Sequence, residues 1–287
     1  MSHSRNPSGQ ARPMETRVLM ADPKYFEVKY AINPFMAAYV GTVDVEKARK
    51  QWTQLSAVYE RLGFDVLVVP AMKGQPDLVF MANQSFPVRK QDGALEVLLS
   101  HMHSPERRRE VDWVKDWYGA QGVSTTPLGQ DLIFEGMGDC MWVPGQNVVM
   151  GGYGFRTEKR AVDALSRRIS ATVIPLQLVH PSFYHLDTCF SPIDHERAFY
   201  VPEAFDAAGC EALRNQFSTL VAIPLDEALS HLACNGHCPD KKHFIVQRGA
   251  HKTVALAQSI GLTVIEVDTS EFLKSGGSVY CMKLMLP

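Results

Sequence analysis

No apolar stretch in this 287-residue chain approaches the roughly 18 consecutive residues that a membrane-spanning helix needs, so that class of protein is excluded. Net charge is also scarce: 29 Lys and Arg stand against 31 Asp and Glu, giving −2 and a pI near 6.5. Such a balance predicts no general attraction to nucleic acid or to an anionic membrane. Cysteine is too sparse for a disulfide scaffold, with only Cys140, Cys189, Cys210, Cys234, Cys238 and Cys281. Reduced thiols in the cytoplasm fit better, and one of them is then available as a nucleophile. The N-terminus is polar and rich in Ser, Arg and Pro, without the apolar segment of a secretory signal, so residues 1–16 read as a disordered leader.

What the chain does have is ordinary globular material, 46% hydrophobic and 21% charged, and a recurring phrase. A helical stretch is followed by a short apolar run, usually with proline: Gly63 to Pro70, Gly122 to Pro127, Ala171 to Pro175, Thr219 to Pro224, and Gly261 to Val267, where the proline is gone. Aligned on Val66, Val123, Val173, Val221 and Val264, the intervals are 57, 50, 48 and 43 residues. A period of this size marks a supersecondary unit whose copies stack to bury their apolar faces. Helix signals alternate with strand signals, which argues for an α/β fold. The spacing of Ala48, Trp52, Leu55, Val58 and Leu62 predicts a helix over Asp44 to Leu62 with Asp44 as N-cap, and Ser104-Pro105 starts another. Strands are expected at Arg17–Met20, Leu78–Met81, Glu96–Leu99 and Val148–Met150. Five copies suggest a ring around a shared centre.

Five segments carry chemistry. Ser275-Gly276-Gly277-Ser278 permits close backbone approach just before Cys281, a setting that suits a reactive thiol. In His185-Leu186-Asp187, an extended backbone would put imidazole and carboxylate on one side, as acid–base chemistry uses them. Glu135-Gly136-Met137-Gly138-Asp139 interleaves glycines with acids, the run from Asp77 ends at Asn83, and Asn33-Pro34 follows a short apolar stretch. A competing segment, His231 to Cys238, concentrates residues that bind zinc, although Cys234 and Cys238 lack the usual paired spacing.

Taken in order from Asn33 to Cys281, these segments resemble the guanidino-modifying, or pentein, superfamily. It includes arginine deiminases, dimethylarginine hydrolases, amidinotransferases and arginine dihydrolases. The resemblance implies a propeller of five ββαβ units around a central active site, with residues 17–287 as a single catalytic domain. It implies Cys281 as nucleophile, His185 as proton shuttle and Glu135 as the acid beside it. Asp187, Asn83 and Asn33 would bind substrate, and Arg156 and Arg107 would lie near its carboxylate, with Arg108 or Arg109 as alternatives to Arg107. The substrate implied is a small guanidino compound, arginine or a relative, and the chemistry calls for neither metal nor organic cofactor. A homo-oligomer is left open. Asparagine at 83, where deiminases and dimethylarginine hydrolases generally carry aspartate, resembles the arginine dihydrolases. An amide both donates and accepts, whereas a carboxylate only accepts, and the neutral citrulline formed in a first step needs a donor. Two hydrolyses to ornithine, ammonia and carbon dioxide are therefore expected, against a single-step deiminase or dimethylarginine hydrolase, with an amidinotransferase behind both.

Overall fold

The computed structural model describes residues 15–90, 92–129 and 131–286; the leader expected over residues 1–16 lies almost wholly outside them. The described residues form five small sheets, and four repeat one plan. In the first, β1 (Arg17–Ala21) runs parallel to β2 (Asp65–Val69) and antiparallel to the closing strand of the chain, Leu284–Leu286. The second pairs β3 (Ser85–Arg89), β4 (Leu95–Leu99) and β5 (Ser124–Pro127). The third pairs β6 (Cys140–Trp142), β7 (Val148–Tyr153) and β8 (Thr172–Gln177). The fourth pairs β9 (Phe190–Pro192), β10 (Arg197–Tyr200) and β11 (Thr219–Ala222). In the fifth, β12 (His243–Gln247) runs parallel to β13 (Thr263–Val267), and the first strand shrinks to a bridge between His237 and Ile245. The closing strand Leu284–Leu286, hereafter β14, serves as first strand of the first unit.

Each parallel pair needs a crossover, and a helix supplies it. These are α1 (Val45–Arg61), α2 (Arg108–Ala120), α3 (Lys159–Arg168), α4 (Ala207–Gln216) and α5 (His251–Ser259). Asp44 caps α1 as expected, its carboxylate accepting from the Lys47 amide at 2.9 Å. The repeated apolar phrase is the third strand of every unit. Those strands lie half-exposed, whereas the first strands β3, β9 and β14 are buried almost throughout. Their outer position explains the prolines: a strand end or free edge does not miss the amide that proline lacks.

One expected strand is absent. Leu78–Met81 is not extended; Pro76–Val79 is a 3-10 turn with proline in its first position, and the Phe80 amide closes onto the Asp77 carbonyl at 3.0 Å. The apolar run is buried by packing instead, with Phe80 edge-on to Phe26 and Phe272. No helix among the described residues is long and apolar enough to cross a membrane.

Candidate active site

The turns leading into the five first strands carry Asn83, Glu135 to Asp139, His185 to Asp187, Asn235 and Cys281. Hydrogen bonds stitch these turns into a closed circle. The Ala82 amide donates to the Cys281 carbonyl at 3.2 Å, and the Gly138 amide to the Ala82 carbonyl at 3.1 Å. The Leu186 amide donates to the Asp139 carboxylate at 3.0 Å, and the Asn235 side chain to the Asp187 carbonyl at 2.7 Å. The Tyr280 amide returns to the Asn235 carbonyl at 3.0 Å. Inside this circle a cleft of about 300 Å³ is lined by Asn33, Asp77, Asn83, Arg107, Arg156, Tyr184, His185 and Cys281.

Cys281 is buried, and its thiol faces Asp187 Oδ2 at 3.0 Å while the Asn235 amide donates to Sγ at 3.1 Å. Burial and then the Asp187 charge push this thiol well above its usual pKa, so without a substrate cation beside it the proton stays on sulfur. His185 is extended, but Leu186–Thr188 turns as a 3-10 segment. The two side chains therefore part rather than share one side of a strand. Asp187 reaches sulfur, and His185 Nε2 meets Glu135 Oε2 at 2.6 Å. Glu135 is further held by the His103 amide at 2.9 Å and by Arg156 Nη1 at 3.5 Å. Burial opposes its charge, but the bond to His185 and the Arg156 guanidinium outweigh it, and its pKa falls far below the usual carboxylate range. Burial also disfavours a charged His185, yet Asp139 and Glu135 together raise its pKa. An imidazolium clamped to a carboxylate is the result. Burial pushes Asp187 up to about 6.

Arg107 is the buried member of its basic run, and Arg108 and Arg109 are exposed. Its fork is largely committed: Nε and Nη2 to Glu110, Nη2 also to the Asp77 carbonyl, and Nη1 to Asn83 Oδ1 at 2.9 Å. One Nη1 hydrogen is left for a ligand. Arg156 is freer, with Nη2 on the Ile32 carbonyl at 2.6 Å and the Tyr184 ring 5.0 Å away. Asn33 donates to the Ser275 carbonyl and accepts from the Phe35 amide, which ties its loop over the cleft.

Sequence reasoning passed over four residues. Asp77 sits in the cleft with Oδ1 on Ser275 and only the Tyr30 hydroxyl near Oδ2. Asp139 lies in the glycine-rich acidic turn and was overshadowed by Glu135. Asn235 comes from the segment that also read as a zinc site; that stretch instead delivers an amide to the thiol, while His237 bonds the Tyr59 hydroxyl at 3.0 Å. Lys283 carried no signal. It is fully buried, 3.1 Å above the Tyr280 ring, and burial pushes its pKa down to about 7.

Gly276 shows why the approach to Cys281 is glycine-rich. Its φ is +80°, and a Cβ there would lie 2.7 Å from the Tyr184 hydroxyl and 2.9 Å from Asn33 Oδ1. Gly276→Ala is expected to cost about 1–3 kcal/mol of stability, measured by urea unfolding, and to raise KM.

Five ββαβ units closed around a polar pocket with a buried thiol are the architecture of the cysteine-dependent amidino hydrolases of the pentein fold, and this chain is one of that class. Residues 22–286 match the family described as N,N dimethylarginine dimethylhydrolase, eukaryotic, and the chain belongs to it. It is 34% identical over 272 residues to the N(G),N(G)-dimethylarginine dimethylaminohydrolase of Mycobacterium tuberculosis, covering 95% of this chain and 86% of the relative. It is 33% identical over 273 residues to the bifunctional arginine dihydrolase/ornithine cyclodeaminase ArgZ of Synechocystis sp., covering 94% of this chain but only 37% of that protein. Among solved structures, the N-terminal domain of ArgZ, as a cysteine-to-serine mutant bound to substrate, superposes with a TM-score of 0.87 at 30% identity, covering 94% of this chain and 97% of that one.

Proposed function

We propose that residues 17–287 act as one catalytic domain that hydrolyses arginine at its guanidino carbon and carries the reaction through citrulline to ornithine. The observation that carries this reading is the set of under-partnered buried polar atoms in the cleft and just behind Cys281. Asp187 Oδ1 is an acceptor with no donor, Asn83 Nδ2 is a donor with no acceptor, and Asp77 Oδ2 has only the Tyr30 hydroxyl nearby. A buried unpaired acceptor is costly, so the cleft is made for a ligand rich in N–H groups. A guanidinium satisfies Asp187, and the ammonium of an α-amino acid satisfies Asp77. Arg156, with the remaining Nη1 hydrogen of Arg107, then receives the carboxylate.

Chemistry follows from the same groups. The substrate cation favours the Cys281 thiolate, whose proton passes to solvent; the sulfur attacks the guanidino carbon, a C–N bond breaks, and His185 protonates departing ammonia. His185 then takes a proton from water, which attacks the covalent intermediate and expels sulfur to leave citrulline. Asn83 decides the next step. Its free Nδ2 would meet a guanidinium donor to donor, but it complements the ureido oxygen of citrulline. That favours retention of citrulline for a second cycle, which releases ornithine, ammonia and carbon dioxide. The substrate-bound arginine dihydrolase domain supports this reading, since it matches almost the whole chain. A single-step reading on methylated arginine rests on the family match and on the mycobacterial relative.

Product analysis separates the two. Arginine should disappear with ornithine at one equivalent and ammonia at two, and lasting citrulline would sink the two-step reading. Asn83→Asp, which removes the donor, should lower ornithine yield about 10- to 100-fold and let citrulline accumulate.

A further inference from the structure

The side-chain amide of Asn83 does not choose its own orientation. Arg107 Nη1 can only donate, and it stands 2.9 Å from the Asn83 oxygen. A flipped amide would set two donors face to face. The NH₂ group is therefore turned away, buried and without a partner. What keeps Arg107 in place is Glu110. Glu110 is fully buried on α2, and it takes the Arg107 Nε at 3.1 Å and Nη2 at 2.9 Å. Its Oε2 also accepts from Gln84 Nε2 at 2.8 Å, which ties it to the residue next to Asn83. The Asn83 backbone is pinned separately, its carbonyl accepting from the Ser100 hydroxyl at 2.6 Å. Only the amide torsion is left for Arg107 to decide.

A competitor for that guanidinium is close at hand. Arg107 Nη2 already donates to the Asp77 carbonyl at 3.1 Å, and the Asp77 carboxylate has an oxygen with only the Tyr30 hydroxyl nearby in the same cleft. Without the Glu110 charge, Arg107 is drawn towards that carboxylate. Asn83 is then released, and the acceptor assigned to the substrate ammonium is filled.

We propose that Glu110 is a positioning residue: through Arg107 it holds the Asn83 amide with its NH₂ group towards the substrate, and so sets how much citrulline goes on to ornithine. The product consequence rests on the two-step reading above. The link from Glu110 to Asn83 does not.

A double-mutant cycle tests it. Glu110→Gln, Asn83→Ser and the pair are assayed for kcat/KM of arginine loss and for the citrulline-to-ornithine ratio. In the parent enzyme, Glu110→Gln should lower kcat/KM and raise that ratio about 10-fold, the loss expected when one oriented hydrogen bond is left unmade. In the Asn83→Ser background the same change should cost at least about threefold less, because the part that acts through Asn83 is gone and only Arg107's own contacts with Asp77 and substrate remain. Equal effects in both backgrounds would overturn the proposal, since Glu110 would then act elsewhere. If the parent enzyme makes citrulline alone, the two-step reading fails, and the cycle on kcat/KM still judges Glu110. Should Glu110→Gln not fold, Gln84→Met removes one bond to Glu110 and keeps its carboxyl group. Its smaller loss should vanish in the Asn83→Ser background, and persistence there would count against the proposal.

Discussion

Cys281→Ser should lower arginine turnover by more than about 10³-fold while leaving arginine binding measurable by calorimetry. The thiol is the one nucleophile in the cleft that a substrate cation can ionise near neutral pH, and a serine hydroxyl lies far from ionisation under the same field. Binding should survive because the acceptors assigned to substrate are on Asp77 and Asp187, and a serine hydroxyl can still donate to the Asp187 Oδ2 that the thiol faces. The Asn235 amide, which donates to Sγ, also donates to the Asp187 carbonyl, so the circle of turns persists without the thiol. Unchanged turnover would remove the mechanism entirely. Loss of binding together with turnover would show instead that the substitution had collapsed the cleft.

His185→Gln is the second large effect, a drop of about 10²–10⁴-fold in kcat with a smaller change in KM. The imidazole gives a proton to ammonia and takes one from water, and an amide can do neither. Iodoacetamide alkylation of Cys281 should still proceed in this variant, which would show that the thiol remains reachable when turnover is lost. The pH profile of the parent enzyme has a sign that follows from Asp187. Its pKa is raised to about 6, so it is charged above that pH and takes a proton as pH falls through it. A neutral carboxyl holds a guanidinium poorly, and kcat/KM should decline below about pH 6. A profile flat down to pH 4.5 would contradict the role given to Asp187.

Much of this was legible in residues alone, for physical reasons that differ from element to element. The five-fold repeat could be read because the outer strand of each unit ends a crossover helix and keeps the same turn and apolar run, even though that strand is only half-buried. Cys281 and Glu135 stand out as a thiol and an acid in glycine-rich stretches and His185 as an imidazole two residues from a carboxylate, and the resemblance supplied the roles proposed for them. The buried interior of the circle was harder. Leu78–Met81 looks like a strand because it is apolar throughout, but burial there comes from aromatic packing around a 3-10 turn, and apolar content does not distinguish the two. His185 and Asp187 were expected side by side because alternation was assumed, and the turn between them sends each to a different partner. Glu110 and Lys283 show nothing in sequence, since an acid in a basic helix start and a lysine among methionines both look solvated until the fold removes the water. Of the three arginines only Arg107 lines the cleft, and most of its donors serve the protein itself.

The circle of turns is completed by Cys281 and by the pairing of Leu284–Leu286 with Arg17–Leu19. A nascent chain on the ribosome can already have made four blades, with imidazole, carboxylates and amides in hand, and still be inert towards arginine. Its sulfur arrives with the same six residues, Cys281 to Leu286, that join the last blade to the first. Closure of the ring and the birth of activity are thus one event, and a folding intermediate left open at that seam would be unable to consume free arginine in the cell.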